Sequence, residues 1–288
     1  MMTAQGPTVG RRRLRSALRR AREATGLTQE QVAEAMDWSL SKLIRIEAGS
    51  VSVSTNDVKA LLSHYRVNDP QQVAELVDLA KVARQRTWWS QYRETFPAPF
   101  VAFIGLEAEA SKLSFFQSVG VPGLMQTEAY ANSITAFVVP AQLDPTRTKE
   151  IVALRRRRQV EVLGRDNPPE VELVLDESIL HRQVGNADVM RGQLEHLLRL
   201  GELPHITIRV LPFSSGMYTA QGQFVVLEFA DEDDSDVVYM EGAGSVTEVI
   251  DQLDQVKRYQ EMYAMLREHS LDPDRSRAML VEMAGRFR

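Results

Sequence analysis

The chain has 288 residues, 44% of them hydrophobic and 25% charged, which suits one large or two ordinary globular domains. It contains no cysteine, which excludes disulfides, thiolate zinc sites and a cysteine nucleophile and points to a reducing compartment. No apolar run approaches the roughly 18 residues of a membrane span, and no apolar stretch follows the early arginines as in a signal peptide, so a cytoplasmic protein is expected.

The net charge of −5 hides a reversal of sign along the chain. Residues 1–68 hold 11 Lys or Arg against 6 Asp or Glu, leaving 23 against 33 for residues 69–288. A basic head of +5 precedes an acidic body of −10. Phosphate contact needs only a local basic surface, because counterions are released where the phosphates are neutralised.

From Arg11 to Thr25, Leu14, Ala17, Leu18 and Ala21 recur at helical spacing, with Arg11, Arg12, Arg15, Arg19 and Arg22 on the other faces. Gly26 ends that helix. Thr28 caps a second that runs through Gln29-Glu30-Gln31-Val32-Ala33-Glu34-Ala35-Met36. Asp37-Trp38 forms a break, Ser39 is the next N-cap, and Leu40 to Ala48 makes a third helix that stops at Gly49. A fourth starts at Ser54 or Thr55 and runs to about His64. Two short helices joined by a tight turn need a small residue at the crossing and apolar knobs opposite, which Ala33, Leu43 and Ile46 supply.

Those segments, Leu27-Thr28-Gln29-Glu30-Gln31-Val32-Ala33 and Leu43-Ile44-Arg45-Ile46-Glu47-Ala48-Gly49, resemble the repressor-type helix-turn-helix of the XRE family. The resemblance implies an all-α, lambda-repressor-like head that binds double-stranded DNA with its third helix in the major groove. Asp37 departs from the glycine usual at the turn, but aspartate tolerates a left-handed conformation. In that pose Ser41, Lys42 and Arg45 face the bases, Arg45 reading guanine through its two-pronged guanidinium. Lys42 serves bases or phosphates, Thr28 and Gln29 touch phosphate or orient their neighbours, and Ser39 is counted with these DNA contacts. The Arg11-Arg12-Arg13 cluster is either a phosphate clamp or a solvated leader, and Arg11, Arg12 and Arg15 are counted among the expected DNA contacts.

A further helix covers residues 69–86 and links head to body. Trp88-Trp89 follows as core or as a linker seal, and Phe96-Pro97-Ala98-Pro99-Phe100 breaks the chain. The domains expected are therefore a DNA-binding head (1–68), a linker segment (69–96) and an α+β body (97–288). In the body, helical patterns cover 101–119, 126–138, 144–163, 188–200 and 246–269, and strand patterns cover 171–175, 206–211, 223–229 and 237–241. The acidic run 231–236 reads as a hairpin loop rather than a calcium site.

Val121-Pro122-Gly123-Leu124-Met125-Gln126-Thr127-Glu128-Ala129-Tyr130, Arg155 to Gln159, Leu175-Asp176-Glu177-Ser178 and Leu211-Pro212-Phe213 resemble the C-terminal domain of WhiJ-like two-domain regulators of actinomycetes. That resemblance implies transcriptional control of development or secondary metabolism, often with a small partner protein encoded nearby in an antitoxin-like arrangement.

The five histidines are scattered, with neither metal spacing nor a nucleophile beside them, so no enzyme, metal or cofactor is expected. Tyr239 to Ser245 reads as a strand passing through Gly242 and Gly244 toward a helix that starts near Ser245. Backbone N–H groups there hold an anion, or the glycines merely make a tight turn. Four consecutive arginines, Arg155 to Arg158, must surround their helix, so one approaches its apolar face and needs an internal carboxylate or a bound anion. The expected protein is a homodimeric transcription factor on an inverted-repeat operator, its body dimerising, sensing a small effector or holding a partner protein. The rival is an antitoxin-like protein that uses DNA only for autoregulation.

Overall fold

A computed structural model describes residues 6–49, 51–138, 145–216, 222–231, 234–241 and 247–287. They divide after Glu109 into two compact units.

The first unit is helical: α1 (Pro7–Ala24), α2 (Gln29–Ala35), α3 (Leu40–Glu47), α4 (Thr55–His64), α5 (Pro70–Val82), a 3-10 turn (Trp88–Tyr92) and α6 (Ala98–Glu109). Leu14 and Leu18 of α1 join Val32, Ala33, Leu43, Ile46, Val58, Leu61 and Leu62 in one buried core. Pro7 opens α1, and the N–H groups of Thr8 and Val9 donate to the Glu109 carboxylate at 2.8 and 2.7 Å. Two of the helix's unpaired N-terminal donors are thereby satisfied by the last residue of α6. Burial raises the Glu109 pKa, although both hydrogen bonds pull the other way. Gly105 permits this close approach, since a Cβ there would overlap Thr8 Oγ1 and Trp89 Nε1. Trp89 is buried and Trp88 half-buried, packed edge to face with centroids 5.4 Å apart.

The second unit is α+β. Its six-stranded sheet has the order β3-β2-β1-β4-β5-β6. The strands are β1 (Lys112–Gln117), β2 (Glu170–Asp176), β3 (Ile206–Leu211), β4 (Phe224–Glu228), β5 (Val237–Glu241) and β6 (Thr247–Ile250). Strands β1, β2 and β3 are parallel and the others antiparallel. The first crossover holds α7 (Glu128–Val138) and α8 (Pro145–Arg158), the second α9 (Ser178–His181) and α10 (Ala187–Leu200). After β6 come α11 (Leu253–His269) and α12 (Pro273–Arg286). Phe116, Phe224, Val226 and Val238 cluster with Val256, Tyr263 and Leu266 of α11. Their neighbours Leu113, Phe115, Leu173, Val225 and Leu227 are buried too, so both sheet faces are covered.

Three expectations need correction. The helix expected over 101–119 ends at Glu109, and its second half is β1, the strand from which pairing runs outward to β2 and β4. Leu113, Ser114, Phe115 and Phe116 are all buried, so the strand carries no alternation to distinguish it from helix. The helix expected over 246–269 begins only at Leu253, because residues 247–250 form β6 on the edge of β5. The Tyr239–Ser245 segment therefore leads from one strand into an antiparallel one, not into a helix, which removes the helix N-terminus invoked for an anion. Gly242, Gly244 and Ser245 themselves lie outside the described residues. Helix α12 was not anticipated, although Asp272 caps it at 2.8 Å and Pro273 stands at its first position.

Candidate nucleic-acid interface

The turn between α2 and α3 is fixed by local chemistry. Thr28 Oγ1 accepts from the Gln31 N–H while the Gln31 side chain accepts from the Thr28 N–H, closing a reciprocal cap on α2. Asp37 adopts φ 54°, and the Trp38 N–H reaches back to the Ala33 carbonyl at 2.8 Å. The aspartate thus occupies the left-handed position that terminates a helix. Ser39 then caps α3 through the Lys42 N–H, and Gly49, at φ 71°, follows the helix end.

Beneath α3 lies a buried polar network that sequence reasoning missed. Arg22 of α1 donates to both Glu47 oxygens at 2.7 and 3.1 Å and to the Leu27 carbonyl at 2.8 Å. Gln29, in the first turn of α2, adds a third bond to Glu47 at 2.8 Å. The Tyr65 phenol has its pKa raised to about 12 by burial and, secondarily, by Glu47. One carboxylate therefore ties the end of α3 to α1 and to the start of α2. The available signal was Glu47 itself, an acid between buried Ile46 and the helix end, which needed a cation.

The candidate residues are distributed as follows. Ser41 and Arg45 are exposed one turn apart on α3, with Arg45 Nε donating to the Ser41 carbonyl at 3.3 Å. Lys42 is half-turned from that face: its Nζ lies 3.5 Å from the Trp38 ring centroid and 3.6 Å from Asp57. Thr28 and Ser39 are exposed caps, while Gln29 is turned inward onto Glu47. Arg11 donates to the Ala83 carbonyl at 2.9 Å, and its burial lowers the guanidinium pKa, with Arg93 adding to the effect. Arg13 pairs with Glu75 of α5 at 2.8 Å. Arg12 and Arg15 are half-buried, Arg15 lying against Gly49. Arg19, Arg20, Lys59 and Arg66 are exposed cations of this unit.

In the second unit the arginine run has a structural use. Arg155 donates to Thr135 Oγ1 at 2.6 Å and to the Ala131 carbonyl at 3.2 Å. Arg156 pairs with Glu128 at 3.0 Å, Arg157 with Glu161 at 3.5 Å, and Arg158 is the member that is buried, beside Gly123. The loop after β1 is stitched by three glutamines. Gln126 donates to the Val121 carbonyl, Gln159 to those of Gly123 and Gln126, and Gln193 to that of Met125 while accepting from Thr127 N–H. A loop rich in buried backbone needs such partners. This explains why the Val121–Tyr130 segment and the arginine–glutamine helix belong together.

Elsewhere, His181 accepts or donates at 3.0 Å with Glu177 and stacks on exposed Phe213. Among the described residues no group of His, Asp and Glu is arranged to hold a metal ion. No helix among them is long and apolar enough to cross a membrane.

A helical unit whose helix-turn-helix exposes one face of α3, followed in the chain by an α+β unit, defines a DNA-binding regulator of the helix-turn-helix class. A model of the helix-turn-helix domain matches residues 13–76, covering most of α1 and all of α2 to α4. The chain belongs to the family with the domain of unknown function DUF5753, whose model matches residues 100–282, well over half of its length. No curated protein and no solved structure matched the chain.

Proposed function

We propose that this protein is a sequence-specific transcriptional regulator in which α3 enters the major groove and Ser41 and Arg45 read base edges. The observation that carries this is the exposed Ser41–Arg45 edge of α3, on a helix whose other side is anchored through Leu43, Ile46 and Glu47. Arginine in that position suits the paired acceptors of guanine. Thr28, Ser39 and Arg15, the last lying against Gly49 at the end of α3, contact phosphate. Arg11 and Arg12 act chiefly in packing α1, an assignment supported by the Arg11 bond to Ala83.

The protein works as a homodimer on an inverted repeat, because a single head of this size reads only a few base pairs. The second unit does no catalysis; it dimerises, or it takes an effector or a small partner protein. Its likeness to WhiJ-like regulators supports a part in development or secondary metabolism. The test is a gel-shift titration of Arg45→Ala on an operator selected from random duplexes and on non-specific DNA. The expected loss on the operator is about 1–3 kcal/mol with non-specific binding spared. Equal loss on both DNAs defeats the base-reading role.

A further inference from the structure

The exposed face of α3 is not uniformly polar. At about 100° per residue, Leu40, Ile44, Ala48, Ser41 and Arg45 fall in that order across an arc of about 140°. All five are exposed, Leu40 by 36% and Ile44 by 43%, while Leu43, Ile46 and Glu47 are the buried positions of the helix. Two stripes therefore run side by side along the helix. One is apolar, Leu40–Ile44–Ala48, and the other is polar, Ser41–Arg45. Lys42 falls at about 200° on the same wheel, past the polar stripe and away from the apolar one, where its Nζ meets Trp38 and Asp57.

We infer that Leu40 and Ile44 are specificity-determining residues that recognise thymine through its C5 methyl group, beside the bases read by Ser41 and Arg45. This rests on the DNA-reading assignment above. The chemistry follows from what the groove offers: base edges there are hydrogen-bonding atoms except for the thymine methyl. An aliphatic side chain gains nothing from the acceptors of guanine, and it desolvates them without a partner. Against a methyl it removes apolar surface from water on both sides. The Leu40–Ile44 spacing of one turn lets the pair span successive base steps, and the adjoining arginine fixes the register.

The experiment uses the full chain and the operator selected from a random duplex pool, resynthesised with deoxyuridine in place of each thymine in turn. That exchange deletes one methyl and leaves every hydrogen-bonding group in place. At one or two positions per half-site, loss of the methyl is expected to weaken binding about three- to fivefold, the equivalent of one buried methyl group. Leu40→Ala or Ile44→Ala should abolish discrimination at its own position while leaving Arg45-dependent binding in place. Both side chains are exposed, and unchanged unfolding midpoints check that the variants fold.

The inference is overturned if the wild type binds thymine and deoxyuridine operators equally, if the alanine variants discriminate as well as the wild type, or if no thymine lies in the contacted steps. A protein that selects no sequence from the pool overturns the DNA-reading assignment as well. Arg45-dependent binding with indifference to the methyl overturns the methyl reading alone.

Discussion

Replacing Glu47 with alanine removes the carboxylate that accepts two bonds from Arg22 and one from Gln29. The side chains of Arg22 and Glu47 are exposed by only 12% and 5%, so water screens the pair weakly. After truncation Arg22 keeps the Leu27 carbonyl and the Glu23 carboxylate 3.7 Å away. Breaking a buried pair on one side costs about 3–5 kcal/mol, and the surviving Glu23 contact argues for the lower end, about 3 kcal/mol. In a helical unit of this size each kcal/mol moves Tm by about 4–8 °C, so the midpoint should fall by at least 12 °C or so. Thermal and urea unfolding of the full chain, followed by circular dichroism, measures this. The double variant Arg22→Met/Glu47→Leu removes both charges and should recover most of the loss, since an apolar pair of similar volume carries no stranded ion. A Glu47→Ala loss below about 1 kcal/mol, or a double variant no more stable than the single, would refute the assignment of this pair as the anchor of α3.

Two further predictions concern the second unit. Gln193 is fully buried and serves both the Met125 carbonyl and the Thr127 N–H, so Gln193→Ala strands two polar groups and should cost about 3 kcal/mol, read from the urea midpoint. An unchanged midpoint would show that the loop after β1 does not depend on this residue. His196 has its pKa lowered from 6.5 by burial and then by Arg199. Below pH 6.5 the unfolded chain takes up a proton that the folded chain resists, so stability is full above 6.5 and falls as the pH drops through the depressed folded value. His196→Gln should flatten that part of the pH–stability curve; a variant with the same slope as the wild type would exclude His196 as its source.

The helices of the head were legible because their signals are local. Thr28, Ser39 and Gly49 mark ends through bonds made within four residues, and Leu43 and Ile46 mark a face through spacing alone. The left-handed conformation at Asp37 was legible for the same reason. In the second unit, β2, β3, β4 and β5 were found because turn residues and acidic loops bracket short apolar runs. What escaped was whatever depended on a distant partner. Residues 112–117 become a strand because β2 and β4 pair with them, and residues 247–250 because β5 offers an edge.

The interface divides along the same line. Ser41 and Arg45 could be named from their places on α3, but the inward turn of Gln29 and the attachment of Arg11 and Arg13 to α5 and its end each need a partner remote in sequence. By itself the sequence determined that a basic helix-turn-helix exists, where its helices begin and end, and that an α+β unit follows it. Only the tertiary structure decided which side chains of that head are spent on holding it together and which remain on its surface, because a charged group's role is set by its nearest partner in space.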